Sequence, residues 1–354
     1  MESNFFANMM NPRFNPSAVL ALSAGGRVLV MSDFHMGDGG RSDDLVKNEA
    51  LLLACLSRYF DEGWHLVLNG DIEELQRHPL KTIRRRWKPL YDMFDAFARE
   101  SRLLKTLGNH DEELIFEEGY PYPLYNVIRI ETGVLPVFVY HGHQSSRVYT
   151  RYNTLVGAGL KYVFKPIGIR NLSSARSPRR RFHVEKKAYD FSLKNNVISI
   201  IGHTHRELFE SLGRFSFLKF EIERLCREYP RAEGLLREEI AREVRLLQTE
   251  LGMLKKAERR YALRESLYGQ AFPVPCLFNS GSAIGKKGVT AIELTRERIA
   301  LVHWPSGGEP RREVLNEDRL ERISAKIELL GGTEKRPAKI PPAPSSPERH
   351  SVLA

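Results

Sequence analysis

Short apolar runs, each ending abruptly on residues able to bind metals, punctuate the first 205 positions of the chain. Val28-Leu29-Val30-Met31 stops at Ser32-Asp33-Phe34-His35, and His65-Leu66-Val67-Leu68 stops at Asn69-Gly70-Asp71. The run from Leu103 to Leu107 gives way to Gly108-Asn109-His110-Asp111. Val137 to Tyr140 ends at His141-Gly142-His143, and Val197 to Ile201 at Gly202-His203-Thr204-His205. Runs of this length and sharpness predict buried strands. Between the first of them, Leu45, Leu52, Leu56 and Tyr59 mark a helix, and a second helical stretch covers Leu90 to Arg99. Alternating strand and helix implies a layered α/β core, and it places each motif at the C-terminal edge of a strand, where open α/β folds carry their chemistry.

The remaining pattern divides the chain into six stretches. Residues 1–24, with Pro12 and Pro16 among small and polar side chains, read as an irregular lead-in. The core occupies 25–212, is interrupted at 213–270, and resumes over 271–305 with strand-like pieces at Val289 to Leu294 and Ile299 to His303. The interruption reads as a helical hairpin: Ile240, Val244, Leu247, Leu251, Leu254 and Tyr261 fall three or four apart except at Glu258, and Pro230 separates them from a shorter helix. Such a hairpin packs on its own domain, pairs two copies into a homodimer, or faces a membrane. Within the core, Ser173 to Phe182 reads as a mobile basic segment ahead of a helix over Val184 to Leu193. A helix fills 306–330, near Arg319 to Leu330, and the Pro-rich polar tail 331–354 is expected to be disordered.

Composition narrows this picture only in part. The 354 residues are 42% hydrophobic, enough for a sizeable core with an insertion. A net charge of +10 fits a basic solvated surface, an anionic substrate, nucleic acid or an anionic membrane face. No apolar stretch approaches the roughly 18 residues of a membrane span, and the N-terminus lacks the pattern of a secretory leader. A cytoplasmic protein is expected, with peripheral contact to the inner membrane face left open. Cys55, Cys226 and Cys276 are far apart and offer neither a disulfide framework nor a thiolate metal site.

The five strand-ending motifs carry the chemistry because they form an ordered series. Asp33, Asp71 and Asn109 follow one another at intervals of 38 positions, about one βα repeat. Carboxylate, imidazole and amide ligands without thiolates suit Mn²⁺, Fe²⁺ or Zn²⁺ in a catalytic rather than a structural site. The series resembles the calcineurin-like metallophosphoesterase superfamily, whose motifs run DxH, GD, GNH(D/E), H and GHxH. That resemblance covers about 27–210 and 274–304. It implies a two-sheet β-sandwich flanked by helices, an α/β (α+β) fold holding two divalent ions, most simply Mn²⁺. Asp33, His35 and His205 would hold one ion, Asn109, His141 and His203 the other, and Asp71 would bridge them. The implied reaction is hydrolysis of a phosphomonoester, phosphodiester or pyrophosphate by attack of metal-bound hydroxide. His110 would stabilise the transition state or protonate the leaving group, with Asp111 fixing its tautomer. The family pattern favours His141 over His143 as ligand and leaves His143 beside the ions or on substrate.

Within the superfamily, Asp71-Ile72-Glu73-Glu74 lacks the pattern of protein Ser/Thr phosphatases. It is similar to the GD-x-x-E of UDP-2,3-diacylglucosamine hydrolases, as are the segment between residues 144 and 196 and Gly202-His203-Thr204-His205-Arg206. By that likeness Arg176, Arg179, Arg180 and Arg181 contact a diphosphate, the alternative being a solvated basic loop. His110 departs from that group, which carries Arg at this place, and the helical hairpin is foreign to it. An anionic phosphoester of a UDP-sugar lipid or nucleotide is therefore the expected substrate. A nuclease or a non-catalytic scaffold of the same fold are the alternatives. Nucleic acid is disfavoured by the lack of a recognisable binding module.

Overall fold

The computed structural model describes residues 18–145, 178–254 and 274–330. Two seven-stranded sheets face each other. Sheet B is centred on three parallel strands, β2 (Arg27–Met31), β3 (His65–Asn69) and β4 (Leu103–Thr106). Its order is β14-β13-β12-β2-β3-β4-β5, where β5 is Leu124–Tyr125, β12 Gly288–Thr295, β13 Arg298–Pro305 and β14 Glu313–Arg319. Sheet A has the order β1-β6-β7-β8-β11-β9-β10. Its strands are β1 (Ala18–Ala21), β6 (Ile128–Glu131), β7 (Pro136–Val139), β8 (Ile198–Ile201), β9 (Glu207–Phe209), β10 (Leu212–Gly213) and β11 (Leu277–Ser280).

Strand periodicity explains why the sandwich closes. Val28, Val30, Val67, Ile292 and Leu294 point from sheet B into the core shared with sheet A, while their neighbours Leu29, Met31, Leu66, Leu68 and Ala291 point the other way. The outward set is covered by α1 (Glu49–Asp61) and by α3 (Lys88–Arg99), which follows α2 (Leu80–Arg86) after a single residue. Both faces of the parallel strands are thus buried, as their continuous apolar runs require. On the far side of sheet A, α4 (Pro178–Asn195) brings Ala188, Tyr189 and Phe191 against the core; α7 (Leu320–Leu330), which follows β14, adds Leu320, Ile323 and Ile327 to the same core.

Four local expectations change. Ala18–Ala21, placed in the irregular lead-in, is a strand paired in parallel with β6, with Ala18 and Leu20 packed on the core; four residues were too few to show a period of two. The basic segment is helical from Pro178 onward, so Arg179, Arg180 and Arg181 form the first turn of α4, where proline is favoured. Strand β14 precedes the C-terminal helix; it is an edge strand with a single buried residue, Asn316, and its charged sequence carries no apolar alternation. The hairpin helices are α5 (Arg214–Glu228) and α6 (Gly234–Met253), and α6 ends where Leu254 turns extended (ψ 142°), two residues after Gly252, which weakens the last turn. Tyr261 and the tail 331–354 lie outside the described residues.

Ile240 of α6 is buried against Leu225 and Ala232, with Val244 and Leu247 alongside. Arg214 ties the pair to the sandwich, donating to both carboxylate oxygens of Glu250 (2.6 Å each), to the Leu315 carbonyl (3.0 Å) and to Asn316 Oδ1 (2.8 Å). Among the described residues no helix is long and apolar enough to cross a membrane.

Candidate metal centre

The five motifs meet at one end of the sandwich, on loops that leave β2, β3, β4, β7 and β8. The backbone there is strained. Asp33, His35, Asp71, His203 and His205 all have φ between 48° and 63°, the left-handed region that non-glycine residues seldom occupy. Such conformations cost about 1–3 kcal/mol each and persist only where the surroundings impose them. Here the loops after β2 and β3 continue their pairing beyond the strands: Asp33 N donates to Gly70 O (3.1 Å), His35 N to Asp71 O (3.0 Å) and Met36 N to Ile72 O (2.8 Å). The glycines of the motifs permit the close approach. A Cβ on Gly70, whose φ is +76°, would lie 2.6 Å from the His141 ring, and one on Gly108 would lie 2.1 Å from Asp71 Oδ1.

The side chains these loops carry form three overlapping groups: Asp33, His35 and His205; His35, Asp71 and His110; Asp71, His141 and His203. Asp33 Oδ1 lies 3.0 Å from His205 Nε2 and 3.9 Å from His35 Nε2, and the two ring nitrogens are 3.1 Å apart. Asp71 Oδ2 lies 3.1 Å from His141 Nε2 and 3.8 Å from His35 Nε2, so it stands between the first and third groups. His203 Nδ1 faces His141 Nε2 at 3.3 Å. Asn109 Oδ1 is buried and accepts no hydrogen bond, an orphan of the kind a cation satisfies. His143 is buried beside this set, its ring centre 5.5 Å from that of His141, but it joins none of the three groups.

Electrostatics agree with that fit. Burial raises the Asp33 carboxyl, yet His205 and His141 outweigh it and bring it down to about 2. Asp71 is held well below the usual carboxylate range against the same burial, chiefly by His141 and His110. In return, and although burial opposes it, Asp71 and Asp33 push the fully buried His141 up to about 9. Burial and His141 push His203 down to about 3. The carboxylates thus create a field strong enough to keep a desolvated imidazole charged, and divalent cations answer the same field.

A second layer of groups orients these side chains. His141 Nδ1 meets the Asn69 carbonyl at 2.8 Å, which turns Nε2 toward Asp71. Glu74 spans two histidines, with Oε2 at 3.2 Å from His35 Nδ1 and Oε1 at 2.8 Å from His110 Nδ1. Asp111 therefore does not fix the His110 tautomer as expected; Glu74 does. Asp111 is instead committed to the backbone, accepting from Gly108 N (2.6 Å) and Ile72 N (2.8 Å), and to Lys105 Nζ (3.1 Å). Burial opposes charge on His110, but Asp71 and Glu74 raise it above the ordinary imidazole range.

On the other side of the centre, buried Glu185 of α4 accepts from Thr204 Oγ1 (3.0 Å) and Arg206 Nε (3.1 Å) and also pairs with Arg206 Nη2. Asn279 Nδ2 holds Gly202 O (3.0 Å) and Thr204 Oγ1 (2.9 Å), so the turn bearing His203 and His205 is gripped from a helix and a strand. Sequence reading missed Glu185 and Lys105; their signals, a carboxylate after Val184 and a lysine interrupting an apolar strand, have many ordinary explanations. Of the arginines assigned to substrate, Arg180 is exposed and Arg181 half-buried at the start of α4. Arg176 and the Arg179 side chain lie outside the described residues.

Residues 26–207 match the family model of the calcineurin-like phosphoesterases. The chain is also similar to the solved structure of YfcE, a phosphoesterase from E. coli, at 12% identity and a TM-score of 0.35, over 83% of this chain and 99% of that one. No curated protein sequence matches it.

Proposed function

The chain belongs to the calcineurin-like phosphoesterases, metal-dependent phosphoric ester hydrolases, and from that premise we propose that it cleaves the pyrophosphate of a nucleotide-linked substrate of the UDP-2,3-diacylglucosamine class. The observation that carries a dinuclear centre is the sharing of Asp71 between neighbouring ligand groups, with the orphaned Asn109 Oδ1 beside them. Asp33, His35 and His205 would hold one ion, Asn109, His141 and His203 the other, and Asp71 would bridge them. The oxygen and nitrogen donors suit Mn²⁺. When bound, two such ions polarise phosphoryl oxygens and make water acidic.

The protein's own share of the chemistry falls to His110. With Nδ1 fixed by Glu74 and its pKa raised, the ring keeps a proton on Nε2 for the departing oxygen. His143, whose pKa burial and His141 depress strongly, is neutral and offers substrate a hydrogen bond rather than charge. Two features support the substrate class: Glu74 at the final position of GD-x-x-E, and α4 inserted between His143 and the closing His203-Thr204-His205 with Arg180 and Arg181 in its first turn.

Product analysis by mass spectrometry tests the proposal. Mn²⁺-loaded protein is incubated with UDP-2,3-diacylglucosamine, bis-p-nitrophenyl phosphate and single-stranded DNA, with Asp71→Ala as control. UMP and a lipid monophosphate that vanish in the variant are the expected products. Cleavage of the diester or DNA alone would remove the lipid assignment and leave the phosphoesterase.

A further inference from the structure

Beside the metal centre, on the face of sheet B that meets α3, lies a cluster of charge that the phosphoesterase reading leaves unused. Lys105 sits inside β4 with no solvent exposure, the only buried lysine among the described residues. Its ammonium donates to Glu73 Oε2 at 2.6 Å and to Asp111 Oδ2 at 3.1 Å, and both acids are buried as well. Desolvating an ion costs several kcal/mol even after the surroundings relax, and an apolar replacement is often no less stable. Three buried charges in the middle of a sheet therefore call for a reason other than stability.

That reason lies in what the two acids hold besides the lysine. Asp111 accepts from Gly108 N and Ile72 N, the residues immediately before Asn109 and immediately after Asp71. Glu73, two residues beyond Asp71, is fixed by the hydroxyls of Tyr91 (2.9 Å) and Tyr120 (2.7 Å). His110 N reaches across to Asp71 Oδ1 at 2.8 Å. The turn after β3 and the turn after β4 are thus riveted through two carboxylates, and one ammonium pairs with both.

We propose that Lys105 is a positioning residue of the metal centre: it holds the turn carrying Asp71 and the turn carrying Asn109 at one separation, and so sets the spacing of the two cation sites. The proposal rests on the dinuclear reading above. Lys105 hydrogen-bonds to none of the candidate ligands, so it acts through Asp111 and Glu73. Without it the two acids repel each other, the turns move apart, and Asn109 loses its alignment with the bridging Asp71.

The test uses Mn²⁺ alone as probe on the full-length, metal-stripped protein. Stoichiometry comes from equilibrium binding, and exchange coupling between neighbouring ions from electron paramagnetic resonance. The wild type is expected to take up two Mn²⁺ with a coupled spectrum. Folded Lys105→Met is expected to bind one of them at least about tenfold more weakly and to show the spectrum of isolated ions. Should that variant fail to fold, Lys105→Met combined with Glu73→Gln keeps the buried net charge unchanged and is expected to lose the coupling too. A lysine that merely stabilised the fold would shift the melting temperature alone, so wild-type stoichiometry and coupling in either folded variant overturn the proposal. A single uncoupled ion in the wild type would overturn the dinuclear reading itself, whatever the variants do.

Discussion

Sheet B delivers Asp33, His35, Asp71 and Asn109 from three adjacent parallel strands, whereas sheet A delivers His141, His203 and His205 from β7 and β8. The first group supplies every candidate oxygen ligand and is held from within: its loops pair with each other, and Asp111 rivets them. The second group supplies only imidazoles, and its turn bearing His203 and His205 is gripped by Glu185 on α4 and Asn279 on β11. A βα repeat places neighbouring loops by its own regularity. Histidines separated by some 60 residues of intervening chain need a helix to grip them.

Breaking the oxygen side should have the largest effect. Asp71→Ala removes the carboxylate shared by two ligand groups, and kcat/KM on bis-p-nitrophenyl phosphate should fall by about a thousandfold or more with an unchanged circular dichroism spectrum. Next comes His110, whose ring meets His35 edge-on and Glu74 through Nδ1. His110→Asn should lower kcat about a hundredfold for a poor leaving group and far less for p-nitrophenolate, which needs no proton; equal losses on both would remove its role as acid.

The imidazole side should fail differently. Glu185→Gln removes the buried charge that pairs with the Arg206 guanidinium, so stability in urea should fall by about 3 kcal/mol, with weakened Mn²⁺ binding as the accompanying change. The smallest effect sharpens the contrast at the far tip of sheet A, where Glu210 meets Lys326 and Asp318. Burial and Asp318 push Glu210 up from 4.5 to about 6 despite the lysine. A carboxyl with a raised folded pKa favours the folded state when protonated. Its contribution is present below about pH 4.5 and lost as pH rises through about 6, at most about 2 kcal/mol. Glu210→Gln should flatten the dependence of urea stability on pH across that window, and an unchanged profile would locate the proton elsewhere.

The architecture was legible where burial is continuous. Val28 to Met31 and Val197 to Ile201 are covered on both faces, so their sequences announce strands and the abrupt ends announce a site. Edge elements gave no such signal: β1 is four residues long, and β14 is charged and only partly buried. The candidate ligands were readable because their spacing follows the strand repeat, while the groups that orient them were not. Asp111 stands next to His110 in sequence but is turned toward the backbone, and Glu74, 36 positions away, reaches the ring instead. Adjacency along the chain fixes which loop a residue shares, not which side chain it meets.

The order of strands in sheet B also bears on how the protein is made. All seven candidate ligands precede residue 206, yet β2, the strand that carries Asp33, pairs on one side with β12, Val30 lying opposite Ile292. At roughly 5–20 residues per second, a ribosome releases that partner tens of seconds after β2 itself. Until then the central parallel strands have an open edge, the situation in which chains pair with the wrong neighbour. The stretch that bears every motif is therefore not a folding unit, and a fragment ending before Gly288 would hold the full set of candidate ligands with nothing to close the sheet that aligns them.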